Sequence, residues 1–404
     1  MSASLLLAYV SAALALQVGG AMAVALWRRR RAAASKAAAP RFAPPTPGAW
    51  DGWREFRVVR REYEDRAHSL CSFHLEPVDG APLPPSVPGQ FLTVLVPVSA
   101  ARTLTRCYSL SGGPNASSYR ISVKRVLPPA GRPELPPGAC SNHLHDRLHV
   151  GDVVRAKAPS GRFVVDPDSS VPTVLIAGGI GITPLLSMLR GALAAQANRR
   201  VHLFYGARRG AEHGFKSELG ALARLHPSFH LKVVYSQPDP DDVLGDDFQH
   251  AGHVDVDLLR RTLPAGRHRF YVCGPPPMMA SLIPALLEWG VLPEDIRHEA
   301  FGAGSVRSNP TASRVEMPSP SVEVVFRKSG RTLTWSGEDA NLLDLAQRHD
   351  LDVEWGCRSG SCGSCEVRVI AGTVRYAQKP DHEVAPGNCL LCVGCPVGPL
   401  ELEA

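Results

Sequence analysis

The sequence has 404 residues, which is long enough for two to four domains of roughly 100 to 200 residues each. Hydrophobic residues make up 44% and charged residues 20%, so the composition excludes a largely disordered chain and a polytopic membrane protein. The formal net charge is +6, but six cations precede the first acid, Asp51, and the rest of the chain is neutral overall. Charge therefore indicates no nucleic-acid partner.

Residues 1–31 predict a single transmembrane anchor. Leu5 to Trp27 carry no charge, and as a helix they would extend about 34 Å, which spans a bilayer core of about 30 Å. Trp27 and the four arginines after it form an interfacial aromatic and a basic stop. This pattern predicts a protein of the inner (cytoplasmic) membrane whose catalytic domains face the cytoplasm. A cleaved signal peptide is the alternative, although it would carry positive charge before the apolar stretch.

Two stretches without hydrophobic periodicity divide the rest of the chain. Residues 32–50, rich in Ala and Pro, predict one linker, and the proline-broken residues 303–320 predict another. Residues 51–167 consist of short strands broken by Pro and Gly, which predict an antiparallel β-barrel. Residues 168–302 and 321–404 form the two remaining predicted domains.

Residues 168–302 contain the pattern of a parallel α/β sheet that binds a nucleotide. An apolar strand, Val174–Ala177, leads into Gly178-Gly179-Ile180-Gly181 and a helix start, where a pyrophosphate could meet backbone N–H groups. Two more strands end in small-residue turns, at Gly206 and at Cys273-Gly274-Pro275. Because ligands of open α/β sheets collect at the carboxyl ends of the strands, these three turns predict one site.

The last domain contains an iron–sulphur motif. Six of the ten cysteines lie in the last 48 residues, and Cys357, Cys362 and Cys365 have C-x4-C-x2-C spacing, as in a plant-type ferredoxin with a 2Fe-2S cluster. Disulfides are disfavoured in a reducing compartment, and zinc would leave Cys357 and Cys389 unused. Residues 391–396 resemble the plant-type ferredoxin ending, which makes Cys392 the fourth ligand, with Cys389 and Cys395 as alternatives. A hairpin over 322–335 and a short helix near Leu342 predict a β-grasp fold.

Residues 51–302 resemble the ferredoxin-NADP reductase superfamily, and most closely the reductase half of flavohaemoglobins. The segment Arg106-Cys107-Tyr108-Ser109 matches its R-x-Y-S flavin motif, and Gly138 to Ser141 match its G-x-x-S pyrophosphate motif. Taken alone, the charged residues of such a segment could equally be solvated side chains on a strand. The order of reductase before ferredoxin is that of phthalate dioxygenase reductase-like proteins. We call residues 51–167 the flavin domain, 168–302 the nucleotide domain and 321–404 the ferredoxin domain.

The resemblance implies specific roles. Arg106 and Ser141 would hold flavin phosphates, Tyr108 and Ser109 would lie at the isoalloxazine, and Thr183 and Cys273 would lie by the nicotinamide. Phe301 would cover the flavin ring, or else be a core residue. The full set implied to bind flavin or nucleotide is Arg106, Tyr108, Ser109, Leu110, Val123, Lys124, Gly138, Ser141, Asn142, Gly178, Gly179, Gly181, Thr183, Pro184, Gly206, Cys273, Gly274, Pro275 and Phe301. No side-chain acid or nucleophile is required for catalysis.

The choice of cofactors is only partly determined. The phthalate dioxygenase reductase-like proteins bind FMN, but Gly138 to Ser141 suit an adenylate-bearing flavin, so FAD is expected. Arg208 and Arg209 follow Gly206 where a 2′-phosphate could bind, yet NADH enzymes also carry arginines there, and NADH is slightly favoured over NADPH. His143, His145 and His149 are expected to be hydrogen-bonding or surface residues rather than metal ligands. Cys71, Cys107 and Cys140 are expected to be small buried residues without chemistry.

The three cofactors together predict an electron relay. Nicotinamide delivers electrons as a hydride pair and an iron–sulphur centre takes one at a time, whereas flavin can exchange them in both ways. We therefore expect NAD(P)H to reduce FAD, then the cluster, then an external acceptor such as an oxygenase, a desaturase or a haem protein. The alternative is a redox sensor that signals to a partner with little turnover.

Overall fold

The computed structural model describes residues 49–99, 102–114, 117–128, 131–166, 169–196, 198–299, 301, 321–377, 380 and 382–404. The predicted anchor over 1–31, most of the first linker and all of the second linker lie outside these residues. Within the described part of the chain, no helix is both long and apolar enough to cross a membrane.

The flavin domain is a six-stranded antiparallel sheet with the strand order β4-β3-β6-β1-β2-β5. Its strands are β1 (Arg54–Tyr63), β2 (Leu70–Pro77), β3 (Phe91–Ser99), β4 (Arg102–Ser109), β5 (Tyr119–Lys124) and β6 (Val153–Ala156). The edge strands β4 and β5 meet through an isolated bridge between Leu110 and Ile121 and a hydrogen bond of 2.8 Å from the N–H of Ser111 to the carbonyl oxygen of Arg120. The predicted barrel is therefore closed by a short contact rather than by a continuous ladder.

The core of the flavin domain lies inside this curved sheet. Along β1 the side chains alternate, so that Phe56 and Val58 are buried while their neighbours are not. Helix α1 (Ala139–Arg147) contributes Cys140 and Leu144 to the same core. The G-x-x-S segment, Gly138 to Ser141, covers the start of α1. The nine-residue helix after Gly138 places the buried Cys140 and Leu144 four residues apart on one face.

The nucleotide domain is a parallel six-stranded sheet with the order β10-β9-β8-β7-β11-β12. The strands are β7 (Thr173–Gly178), β8 (Val201–Ala207), β9 (Phe229–Tyr235), β10 (His250–Ala251), β11 (Arg269–Cys273) and β12 (Ile296–Glu299). The helices are α2 (Ile182–Ala195), α3 (Lys216–Leu225), α4 (Val256–Thr262) and α5 (Pro276–Glu288), with 3-10 turns at Gly179–Gly181, Gly210–Glu212 and Pro293–Asp295. Two large apolar clusters and a smaller one around Tyr235 form its core, which agrees with a sheet covered on both faces.

The ferredoxin domain has the mixed sheet of a β-grasp fold, with the order β14-β13-β19-β15-β17 and a separate pair β16-β18. Its strands are β13 (Val322–Phe326), β14 (Arg331–Trp335), β15 (Glu366–Ala371), β16 (Val374–Tyr376), β17 (Asn388–Leu390), β18 (Gly394–Pro396) and β19 (Leu400–Leu402). Helix α6 (Leu342–Arg348) begins at Asn341, whose side chain accepts the N–H of Asp344. The chain between α6 and β15 forms the cysteine loop.

Candidate functional site

The glycine turn after β7 closes against the end of β11. Gly179 has a φ of +53°, in the left-handed region that favours glycine. A Cβ on Gly181 would lie 2.0 Å from the carbonyl oxygen of Cys273, so a larger residue cannot fit without moving the backbone. Helix α2 starts directly after this turn and has no side-chain cap. The N–H of Ile182, the first residue of α2, already bonds to the carbonyl oxygens of Gly179 and Ile180, so an anionic ligand at the sheet edge would meet the N–H groups of the glycine turn before it.

The three predicted nucleotide turns lie side by side. A Cβ on Gly178 would lie 2.6 Å from Cδ of Pro275, and a Cβ on Gly274 would lie 3.1 Å from Cα of Gly178. Gly206 pairs in register with Gly178 across β7 and β8. The parallel sheet therefore collects these residues at one edge, as the sequence predicted.

Thr183 and Pro184 are buried in the first turn of α2. The Thr183 hydroxyl donates a hydrogen bond of 3.0 Å to the carbonyl oxygen of Ile180, inside the glycine turn. This bond stabilises the turn on which the pyrophosphate site depends. A contact of Thr183 with the nicotinamide stays a prediction.

A buried carboxyl group, which the sequence did not single out for a role, lies beside Cys273. Glu299 at the end of β12 pairs in register with Cys273 at the end of β11. Its Oε2 atom is shielded from solvent and has no hydrogen-bond partner among the described residues. Burial, and secondarily the charge of Cys357, raises the pKa of Glu299 to about 8. A signal for this residue existed in the match of Glu299-Ala300-Phe301-Gly302 to a flavohaemoglobin terminus.

Strand β4 carries the flavin motif along the rim of the barrel. Ser109 is buried and pairs with Phe91 of β3, and Leu110 donates its N–H to the carbonyl oxygen of Gln90 at 2.8 Å. Tyr108 packs against the barrel core, and its burial raises the pKa of the phenol, so the phenol stays neutral. An aromatic ring and a hydroxyl thus follow one another where the resemblance places the isoalloxazine.

The pyrophosphate motif lies at the N-terminus of α1. A Cβ on Gly138 would lie 2.7 Å from the Ser141 hydroxyl and 2.8 Å from Cβ of Val126. The Ser141 hydroxyl accepts the N–H of Val126 at 3.2 Å, and the Asn142 amide donates to the carbonyl oxygen of Val126 at 2.8 Å. These bonds fix the start of a nine-residue helix with no side-chain cap, which suits a phosphate.

The remaining residues implied by the resemblance have mainly structural contacts. Val123 is buried, and its carbonyl oxygen lies 2.8 Å from Nε2 of His145. Lys124 forms an ion pair of 3.3 Å with Glu212 of the nucleotide domain. Phe301 is partly buried against the core of the nucleotide domain. Their contacts with flavin stay predictions.

The three cysteines of the cysteine loop and Cys392, which follows β17, form two pairs. The backbone N–H of Cys357 lies 3.2 Å from Sγ of Cys362, and that of Cys392 lies 3.4 Å from Sγ of Cys365. A Cβ on Gly356 would lie 2.8 Å from Sγ of Cys362, so glycine is needed for the loop to close around the sulphur. Two pairs of thiols are the donor set that two irons of a 2Fe-2S cluster require.

Backbone N–H groups point at these sulphur atoms. The N–H of Cys357 lies 3.2 Å from Sγ of Cys362, and those of Ser359 and Ser361 lie 3.4 and 3.3 Å from Sγ of Cys357. Coordinated thiolates carry negative charge and are stabilised by such donors. The residues of the loop therefore fit the cluster.

The three candidates for the fourth ligand differ in their surroundings. The N–H of Cys392 lies 3.4 Å from Sγ of Cys365, which places Cys392 in the sulphur group. Cys389 lies in the apolar core, where burial raises the pKa of its thiol to about 12. The Cys395 thiol instead lies 3.5 Å from the carbonyl oxygen of Ala340. This arrangement favours Cys392 as the ligand.

The cysteine loop contacts the flavin domain at β4. The guanidinium of Arg106 lies 4.0 Å from the ring centroid of Trp355, and that of Arg358 lies 4.6 Å from the same ring. Lys157, just after β6, donates a hydrogen bond of 3.3 Å to the carbonyl oxygen of Cys362. The flavin motif and the cluster motif therefore meet directly, with Arg106 shared between them.

The arginines after β8 are already paired with acids. Arg209 forms an ion pair of 2.8 Å with Asp239, and Arg208 forms one of 3.4 Å with Glu212. Asp239 also lies with Asp241 and Asp242 in a cluster whose carboxylate oxygens are within 4.8 Å of one another. Of the histidines near α1, His145 has Nε2 2.8 Å from the carbonyl oxygen of Val123, and His149 has Nδ1 3.1 Å from the carbonyl oxygen of Arg147.

Comparison with protein families gives three matches along the chain. Residues 67–165 match an oxidoreductase FAD-binding domain, 175–282 an oxidoreductase NAD-binding domain, and 326–397 a 2Fe-2S iron-sulfur cluster binding domain. Each match lies within one of the three domains defined from the sequence.

Known proteins resemble either the first two domains or all three. A flavohemoprotein of Rhodopirellula baltica is 41% identical over 257 residues, and the match covers 63% of this chain and 62% of that protein. The flavohem-like FAD/NAD-binding domain of nitric oxide dioxygenase from Vibrio cholerae is 33% identical with a TM-score of 0.54, covering 62% of this chain and 98% of that one. Phthalate dioxygenase reductase is 27% identical with a TM-score of 0.53, covering 88% of this chain and 98% of that one.

These matches, together with the glycine turns and the cysteine loop, define an oxidoreductase with FAD- and NAD-binding domains. The chain belongs to the ferredoxin-NADP reductase family and carries a C-terminal 2Fe-2S domain in the arrangement of phthalate dioxygenase reductase. The chain spans about 62% of the length of the flavohemoprotein that it matches, and its three domains are those of oxidoreductases that bind FAD, NAD and a 2Fe-2S cluster.

Proposed function

We propose that electrons enter at the end of the nucleotide domain marked by Cys273 and Glu299, cross the flavin site on β4, and leave through the cysteine loop to a separate protein. Bound FAD supplies the conversion of an electron pair into single electrons, and the cluster carries them onward. The observation that supports this route most directly is the contact of the cysteine loop with β4, where Arg106 lies 4.0 Å from the Trp355 ring.

Glu299 and Cys273 lie at the entrance of this route. They help to position the reacting groups and form no covalent bond with them. Because burial raises the pKa of Glu299 to about 8, its carboxyl holds a proton at neutral pH. The Cys273 thiol also stays neutral, since burial raises its pKa further above the ordinary value. Glu299 and Cys273 lie at the ends of the adjacent strands β12 and β11. Because both side chains are neutral, neither presents a fixed negative charge to an approaching hydride donor.

The route is tested with the Cys362→Ser variant and a matched control, Cys395→Ser. The serine at 362 removes one predicted cluster ligand, whereas Cys395 lies outside the sulphur group. We expect NADH-dependent reduction of cytochrome c to be lost in C362S and retained in C395S, while both variants still reduce ferricyanide through the flavin. Cytochrome c reduction at the wild-type rate in C362S would contradict the route. Turnover of the wild-type chain below about one per minute would favour the sensor function instead.

We propose NADH as the preferred donor. A carboxylate or hydroxyl side chain can accept a hydrogen bond from a ribose 2′-OH. A 2′-phosphate instead needs a free cationic side chain near the end of β8, the second strand of the nucleotide domain. Here Arg209 is paired with Asp239 at 2.8 Å, so a 2′-phosphate would have to displace a carboxylate. The Asp239→Asn variant should therefore lower the KM for NADPH several-fold and change the KM for NADH little. An unchanged ratio of the two kcat/KM values would contradict this assignment.

We further propose that the acceptor is an oxygenase, a desaturase or a haem protein at the inner membrane. Support comes from the likeness to a reductase named for a dioxygenase partner, and from the apolar residues 5–27 followed by four arginines. The test is fractionation of cells into membrane and soluble parts, followed by detergent extraction and identification of co-purifying proteins. Recovery in the soluble fraction, with no loss of cytochrome c reduction, would contradict the membrane location.

A further inference from the structure

Cys107 is the one residue of the flavin motif Arg106-Cys107-Tyr108-Ser109 to which the motif assigns no role. It lies on β4 directly opposite Thr93 of β3. Its Sγ atom is 3.5 Å from Oγ1 of Thr93, within hydrogen-bond distance for sulphur. The strand pairing therefore holds this thiol in a defined position.

The Cys107 thiol also reaches across to the ferredoxin domain. Its Sγ lies 3.4 Å from the position that a Cβ would take on Gly356, which is van der Waals distance, and the same position lies 2.8 Å from Sγ of Cys362. Burial, and secondarily the nearby Cys357 and Cys362 thiols, raise the pKa of Cys107. A thiol of the flavin domain thus contacts the cluster loop of another domain.

The other two cysteines of the flavin domain make no such contact. Cys71 is fully buried in the barrel core, and its thiol lies 3.9 Å from the carbonyl oxygen of Ser72. Cys140 is buried in the same core on α1. Cys71 and Cys140 are buried as the sequence predicted, whereas Cys107 is only half-buried and lies where the flavin domain contacts the ferredoxin domain.

We propose that the Cys107 thiol, positioned by Thr93, donates a hydrogen bond to the cluster thiolate of Cys362 while the ferredoxin domain is packed against β4. The Thr93 hydroxyl can donate to Sγ of Cys107, which leaves the S–H proton for a thiolate acceptor. This inference rests on the electron route proposed above, but it concerns the cluster and not the acceptor.

The bond would act on the reduction potential of the cluster. Reduction adds negative charge to the cluster, and a donor to its sulphurs stabilises the more negative state, so the potential rises. The N–H donors come from the cysteine loop itself and are present in any domain arrangement. The S–H donor comes from the flavin motif, so it favours reduction of the cluster only when the flavin site is adjacent.

The experiment is a mediated redox titration of the full chain, followed by EPR of the reduced cluster, with dithionite as reductant and no nicotinamide or acceptor present. Cys107→Ala removes the donor and should shift the midpoint potential of the cluster to a more negative value. Cys107→Ser keeps a donor and should restore most of the difference. Thr93→Val should give a shift of the same sign but smaller. Cys71→Ala, which removes a thiol elsewhere in the same sheet, should leave the potential unchanged.

A second measurement starts from the wild-type chain and uses Cys107→Ser for comparison. ENDOR of the reduced wild-type cluster in H2O and in D2O should reveal an exchangeable proton coupling, and Cys107→Ser should alter it. An unchanged potential in Cys107→Ala would overturn the proposal, as would loss of bound iron and sulphide in that variant alone, since Cys107 would then be a ligand. Because the reductant is dithionite, these results do not depend on whether NADH drives the relay.

Discussion

The nucleotide edge and the flavin–cluster junction are built in different ways. At the nucleotide edge, three turns from separate strands are brought together by the register of one parallel sheet, and Gly178, Gly206 and Gly274 meet within a single domain. At the junction, Arg106 and Trp355 belong to different domains and meet through surface packing. The first arrangement is fixed by the folding of one domain, whereas the second depends on how two folded domains pack.

The nucleotide edge should be the more sensitive to a single methyl group. In Gly181→Ala the new Cβ would lie 2.0 Å from the carbonyl oxygen of Cys273, and overpacking of this kind costs about 1 to 3 kcal/mol. We expect the KM for NADH to rise about tenfold or more. The control is Gly220→Ala in α3, where the Cβ would meet only the flexible side chain of Arg224 at 3.4 Å. Equal KM values in the two variants would show that the close approach has no role in binding.

The junction should respond with a smaller and more selective loss. Trp355→Leu removes the ring that two guanidinium groups contact, and cation–π pairs are worth about 0.5 to 2 kcal/mol. Cytochrome c reduction should fall several-fold while ferricyanide reduction is retained. The control is Trp289→Leu, whose ring lies 5.5 Å from Arg260 within the nucleotide domain. A parallel loss of both activities in Trp355→Leu would mean that the ring supports the flavin site itself.

The sequence predicted the nucleotide edge well and the junction poorly, for a physical reason. Strand ends such as Cys273 and Gly206 are marked by apolar runs that stop at small residues, and a parallel sheet has few ways to arrange them. The cysteine spacing likewise encodes a local loop, so the four sulphurs around Cys362 could be expected. Glu299 and Cys107 lie in segments that resemble known motifs, but their contacts could not be predicted, because their surroundings come from neighbouring strands or from another domain.

The buried carboxyl at the nucleotide edge should produce the smallest effect, a change in the pH dependence of stability. The pKa of Glu299 is raised to about 8 in the folded chain, so between pH 4.5 and 8 the folded state binds more protons than the unfolded state. Stability should therefore fall as the pH rises through this range. Glu299→Gln removes this contribution and should flatten the curve.

The measurement is the free energy of unfolding of the full chain at several pH values, by denaturant titration. Glu76→Gln, at an exposed position of β2, is the control and should keep the wild-type slope. If Glu299→Gln keeps that slope as well, the carboxyl is not held neutral in the folded protein.

The most direct test of the electron route is anaerobic addition of NADH to the purified full chain, with flavin absorbance and the EPR signal of the cluster followed on the same sample. The account predicts that the flavin bleaches and the reduced-cluster signal appears in the wild-type chain, whereas Cys362→Ser gives only the bleaching. Bleaching of the flavin in the wild-type chain with a fully assembled cluster that stays oxidised would contradict the account.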